Sequence, residues 1–67
     1  MKDEPTIGRR IAAARAIYKM TQADLAEKIG VSVSTIVHWE NGDTSPRVDQ
    51  VRKIADILCV PLEDLLR

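Results

Sequence analysis

Two glycines constrain this chain more than any other residues. Gly30 and Gly42 each stand at the end of a stretch with helical apolar spacing, and only Gly30-Val31-Ser32 separates the two stretches. Glycine supplies the left-handed conformation that commonly ends a helix. The first stretch, Gln22 to Ile29, puts Leu25, Ala26 and Ile29 on one face. Thr21 reads as its N-cap, with Asp24 three residues on in an approximate capping box. Ser32 caps the second stretch, which stops at Asn41-Gly42. Helices of about two turns are not stable alone in water. They must pack on each other and on whatever flanks them, and a turn this tight makes them cross steeply.

The flanks supply the rest of an all-α fold. Pro5 or Thr6 opens a first helix running through about Tyr18, with Ile7, Ile11, Ala14 and Ile17 recurring at helical spacing. Asp43 to Pro46 is a loop by composition. From Pro46 or Arg47 a fourth helix carries Val48, Val51, Ile54, Ala55 and Leu58 inward, and Pro61 suits the first turn of a short fifth helix holding Leu62, Leu65 and Leu66. No segment alternates with period two for long enough to make a strand. The expected organisation is a flexible tail over 1–5 and one five-helix domain over 6–67. With no Phe, one Trp and one Tyr, the core has to be built from Ile, Leu, Val and Ala. A chain of 67 residues buries only about 60% of its surface on folding, so modest stability is expected.

Ten basic residues balance ten acidic ones, so net charge gives no support to a nucleic-acid partner, although a basic face remains compatible with it. Cys59 is the single cysteine, which rules out an internal disulfide, and no metal-ligand spacing is present. The start, MKDEP, lacks the apolar run of a signal peptide, and no stretch is long enough to span a bilayer. The expectation is a soluble, cytoplasmic protein without cofactor or metal. Catalysis is not expected either. Ser34 and His38 are an i, i+4 pair on one helix, but no third group or oxyanion site accompanies them.

The segment from Thr21 to Gly42 thus has the outline of a helix-turn-helix, over about 21–42. Here the residues resemble a known family. TQADLAEKIGVSVSTIVHWENG, preceded by IGRRIAAAR and followed by IADILCVPLEDLL, is similar to the lambda-repressor-like (Cro/CI, XRE-type) transcriptional regulators. The resemblance covers about Ile7 to Leu66. It implies a compact five-helix domain that binds double-stranded operator DNA as a repressor, with the helix over 33–41 in the major groove.

The helical wheel gives that segment two sides. At about 100° per residue, Ile36, Trp39 and Glu40 fall on one, and Val33, Ser34, Val37, His38 and Asn41 on the other. Under the resemblance, Val33 and Val37 meet thymine methyl groups, Ser34 bonds to a base edge, and His38 donates to guanine or a phosphate. For the two valines, covering the neighbouring helix is the competing role. Gln22 resembles the family's glutamine at the start of its second helix, where unpaired N–H groups favour a phosphate. Asn41 and the Thr44 backbone match positions where family members grip the sugar-phosphate chain; Arg47 and Lys19 are further DNA-backbone candidates, as cations on that side. For Asn41, C-terminal capping serves equally well. Arg15 and Glu40 match an ion pair linking helices one and three in related proteins, which would fix the angle of the recognition helix.

Two positions depart from the family pattern. Asp43 stands in a loop where many relatives have Lys or another polar residue, and a carboxylate there repels phosphates. Cys59 takes the place of a usual helix-ending glycine; a left-handed backbone there would strain it, and it is expected to be a small buried hydrophobe. With three to five phosphate contacts per subunit as a rough estimate, one copy should bind weakly, and two copies on a two-fold operator would add their contacts. The family often dimerises through its last helices, which makes Leu62, Leu65 and Leu66 candidates for a homodimer interface, unless they only seal the core. The alternative function is a protein-interaction module, antitoxin-like or anti-repressor-like, whose valine-bearing face meets a protein.

Overall fold

The computed structural model describes residues 7–66. Five helices follow one another: α1 (Ile7–Ile17), α2 (Gln22–Ile29), α3 (Val33–Asn41), α4 (Val48–Leu58) and α5 (Leu62–Leu66), with no strand among the described residues. The expected tail over 1–5, and the opening of the first helix at Pro5 or Thr6, lie outside them.

Side chains at the starts of the helices bond to backbone N–H groups that have no partner within the helix. Thr21 Oγ1 accepts from the Asp24 N–H at 3.0 Å while the Asp24 carboxylate accepts from the Thr21 N–H at 3.1 Å, a complete capping box on α2. The Thr21 backbone N–H, then its hydroxyl, hold the Asp24 carboxyl below the usual carboxylate range. Ser32 caps α3 by accepting from the Thr35 N–H at 3.2 Å, and Gln50 reaches back to the Arg47 N–H at 2.8 Å ahead of α4.

The ends of the first four helices share one device. A left-handed residue turns the chain out of each helix, at Lys19, Gly30, Gly42 and Cys59, with φ of 54, 90, 84 and 55°. The N–H of the residue after it bonds back to the last turn: Met20 to the Arg15 carbonyl, Val31 to Ala26, Asp43 to His38 and Val60 to Ala55. These are Schellman closures. Two of them place a side chain where glycine would be unstrained, at about 1–2 kcal/mol each. At Cys59 the turn also sends the side chain into solvent, so this residue is exposed and not the buried hydrophobe expected of it.

The core joins all five helices. Ile11, Leu25, Ile36, Ile54 and Leu58 are wholly buried, with Val51, Trp39 and Leu65 nearly so. The periodic reading of the ends needs correcting at two places. Ile17 is 76% exposed and Val48 62% exposed, although their spacing put both inward. Each is the terminal residue of its helix and lies three residues from its nearest core neighbour, a step that leaves it about 60° off the buried stripe. Leu65, named as an interface candidate, is 2% exposed and belongs to the core, so it has no surface left for a second copy; Leu62 is half-buried against the same core and Leu66 is exposed.

The contact between α1 and α3 sets the direction of α3. A Cβ on Gly8 would collide with the Trp39 carbonyl oxygen and lie 3.0 Å from the Glu40 Cα, so the backbones meet there with no room for a side chain. One helical stretch further along α1, Arg15 Nε donates to Glu40 Oε2 at 2.8 Å and Nη2 to Oε1 at 3.1 Å, while Nη1 donates to the Met20 carbonyl at 2.8 Å. Gln22 Nε2, from α2, adds a bond to Glu40 Oε1 at 2.9 Å. The two charged side chains are only 19% and 7% exposed.

Three substitutions test these features by urea denaturation. Gly8→Ala should cost about 2 kcal/mol or more, because overpacking against backbone outweighs the gain of about 1 kcal/mol in helix propensity. Glu40→Ala should cost about 2–3 kcal/mol by leaving the Arg15 guanidinium desolvated without its carboxylate. Cys59→Gly should raise stability by up to about 1 kcal/mol, the left-handed strain relieved less the extra freedom glycine gives the unfolded chain. Little or no loss for Gly8→Ala would mean that α1 can move away from α3 at small cost.

Candidate nucleic-acid interface

The outward surface of α3 follows from how its inward surface is held. Ile36 and Trp39 enter the core, and the Glu40 carboxylate is held from α1 and α2. The turn from α2 is equally constrained. Gly30 is left-handed, Val31 packs on the core and bonds Ala26, and Ser32 caps the next helix. Between these restraints the other side of α3 faces away from the body. Val33 is 44% exposed, Ser34, His38 and Asn41 are exposed, and Val37 is half-buried. The two valines therefore differ: Val33 stands clear at the helix start, and Val37 shares its surface with the body.

The backbone-contact candidates lie on several elements. Lys19 is exposed in the link before α2, and Arg47 is exposed at the start of α4. Arg47 Nε reaches Asp49 Oδ1 at 3.4 Å with both side chains about three-quarters exposed, a surface pair of little energetic weight. Gln22 is half-buried, and one amide N–H is committed inward to Glu40. Its second N–H and its carbonyl are what the amide retains for another partner. Of the Thr44 backbone, named as a phosphate-contact candidate, the N–H is taken by the His38 carbonyl at 3.4 Å, as the last bond closing α3. Asn41 is the final residue of α3, exposed ahead of Gly42.

Sequence reasoning missed three contacts. Gly8 is the close-approach residue between α1 and α3, and helical spacing treats a glycine merely as a gap. Gln22 is a ligand of Glu40 as well as a first-turn residue. His38 Nδ1 lies 3.1 Å from Asp43 Oδ2, so the loop carboxylate, read only as a source of repulsion, has a partner. Their spacing of five residues about Gly42 was the available signal, because a Schellman closure brings those two positions together. Among the described residues no group of three or more His, Cys, Asp or Glu is placed to hold a metal, and no helix is long and apolar enough to cross a membrane.

Known proteins share both this fold and this sequence pattern. The helix-turn-helix family profile matches residues 11–65. An uncharacterised HTH-type transcriptional regulator of Archaeoglobus fulgidus is 45% identical over 56 residues, covering 84% of this chain and 80% of the relative. The cryptic phage CTXphi transcriptional repressor RstR of Vibrio cholerae is 34% identical over 59 residues, covering 88% of this chain but 53% of the repressor. The N-terminal DNA-binding domain of SinR from Bacillus subtilis superposes with a TM-score of 0.85 at 29% identity, covering 96% of this chain and 94% of that one. SinR, the master regulator for biofilm formation, crystallised in complex with DNA, gives 0.85 at 32% identity over 92% of this chain and all of the other. The chain belongs to the helix-turn-helix family, in its lambda-repressor-like (Cro/CI, XRE-type) group of DNA-binding transcriptional regulators.

Proposed function

We propose that this chain is a small cytoplasmic repressor, two copies of which bind a palindromic operator with one α3 in each of two successive major grooves. The observation that carries this reading is the division of α3: its inward face is fixed by core and ion pair, and its outward face offers Val33, Ser34 and His38 to a ligand. An exposed valine beside a hydroxyl suits a thymine methyl next to a polar base edge. Val37 contributes at the margin of that surface. Residues 6–67 act as one domain, with the helix-turn-helix over about 21–42.

The sugar-phosphate contacts come from the edges of this surface: the remaining amide N–H of Gln22, the side chains of Asn41, Arg47 and Lys19, and the Thr44 hydroxyl in place of its backbone N–H. Leu66, with the uncovered part of Leu62, supplies the apolar surface for the second copy. Resemblance to SinR, solved in complex with DNA, and to the RstR repressor supports this reading. A protein-binding role for the α3 face remains the competing reading, favoured by the chain's zero net charge.

Selection of bound duplexes from a random pool tests the proposal. An inverted repeat should be enriched, its half-sites about 34 Å apart, and affinity should fall as salt rises. Arg47→Ala should weaken binding to all sequences and reduce the salt slope by about one. Val33→Ala and Ser34→Ala should change base preference at particular positions. No enrichment by a folded sample would shift the assignment to a protein partner, and unchanged preference in both variants would move the reading surface elsewhere.

A further inference from the structure

Where three of the first four helix ends close on an apolar contact, α3 closes on a polar one. The residue after the left-handed turn is Met20, Val31 or Val60 at the ends of α1, α2 and α4, and each packs against the core. At the end of α3 it is Asp43. Its backbone N–H bonds the His38 carbonyl at 2.9 Å, and its carboxylate meets the His38 ring at 3.1 Å. The backbone bond thus anchors both residues of the side-chain pair. Both side chains are more than half exposed, at 56% and 57%. A packing role would call for an apolar pair, so this pair is better suited to presenting the imidazole.

We propose that Asp43 is a positioning residue that sets which hydrogen-bonding group His38 presents to a base, making recognition at one position of each half-site depend on pH. This rests on the reading of α3 as the base-reading helix. An ionised carboxylate only accepts, so the neutral ring must carry its single proton on Nδ1 to bond Asp43. Nε2 is then a bare acceptor. In the major groove an acceptor pairs with the amino group of adenine or cytosine, whereas guanine offers only acceptors there. When the ring gains a second proton, Nδ1–H still donates to Asp43 and Nε2–H becomes a donor, which fits guanine O6 or N7, thymine O4 or adenine N7 but not cytosine. Imidazole side chains ordinarily make this change between about pH 5 and 8.

Of Asp43, Glu40, Arg47 and Asp49, Asp43 is the one bonded to the ring. Glu40 lies on the inward side of α3, engaged by Arg15 from α1 and Gln22 from α2. Arg47, at the start of α4, pairs with Asp49. Protonation of His38 also sets a positive charge beside Asp43, offsetting the repulsion that this carboxylate exerts on phosphate.

The chain has one histidine, so its ring can be read directly in the intact 67-residue chain. Long-range proton–nitrogen NMR at about pH 8 should show the Nδ1–H tautomer in the wild type and the more usual Nε2–H tautomer in Asp43→Ala. Duplex selection at about pH 5.5 and pH 8 should then show one position per half-site at which cytosine gives way to guanine or thymine as pH falls, by about fivefold. Asp43→Ala should disfavour cytosine at both values, and His38→Gln should show no pH-dependent position. An Nε2–H tautomer in the wild type at pH 8, or an enriched operator with no pH-dependent position, would overturn the inference. Absence of any enriched site, with the Nδ1–H tautomer present, would instead remove DNA reading by α3 and take this inference with it.

Discussion

The rest of the structure depends on how Glu40 is held. Its carboxylate receives two bonds from Arg15 on α1 and one from Gln22 on α2, so three helices are tied at one nearly buried group. Gly8 adds a second fixed point on the same pair of helices, where α1 touches the α3 backbone at Trp39. Two fixed points some two turns apart on α1 define a direction, whereas one would allow α3 to pivot. A desolvated ion pair contributes little net stability compared with apolar groups of the same shape. Its value here is geometric. It holds α3 at one angle while leaving the opposite face uncovered.

That arrangement suits a chain with few means of stabilising itself. The helices are short, the core lacks phenylalanine, and the total buried area is small for any domain. The chain compensates at helix ends, where capping boxes and Schellman closures engage backbone groups that would otherwise need water. Even so, Lys19 and Cys59 adopt a conformation that glycine would occupy without strain.

Much of this was legible in the sequence because local signals and global packing agree. The cap at Thr21, the glycine turn and the division of α3 into Ile36, Trp39 and Glu40 against Val33, Ser34 and His38 all follow from spacing. Failures came where the answer depends on what lies across the space. Ile17 and Val48 fit the apolar period but overhang the core. Leu65 and Leu66 are adjacent leucines, and only the packing of α5 against α1 and α4 decides that the first is buried and the second is not. Thr44 was placed by resemblance, but closing α3 uses its N–H. Gly8 gave no signal, because its function is the absence of a side chain opposite another helix's carbonyl.

Zero net charge gains meaning from the same geometry. A binder that relies on counterion release needs many cations facing the backbone, and of the two cations proposed for it here, Lys19 and Arg47, the second already lies beside Asp49. Under the proposed reading, recognition then leans on short-range contacts from α3, which are worth little unless the helix is held at a fixed angle. The same scarcity makes an unpaired carboxylate at Asp43 costly on a face that approaches phosphates. Its bond to His38 turns that carboxylate toward its own helix, where it orients the imidazole instead of opposing the ligand alone. The ion pair behind α3 and the clasp at its end are thus two parts of one solution, in which rigidity and placement substitute for charge.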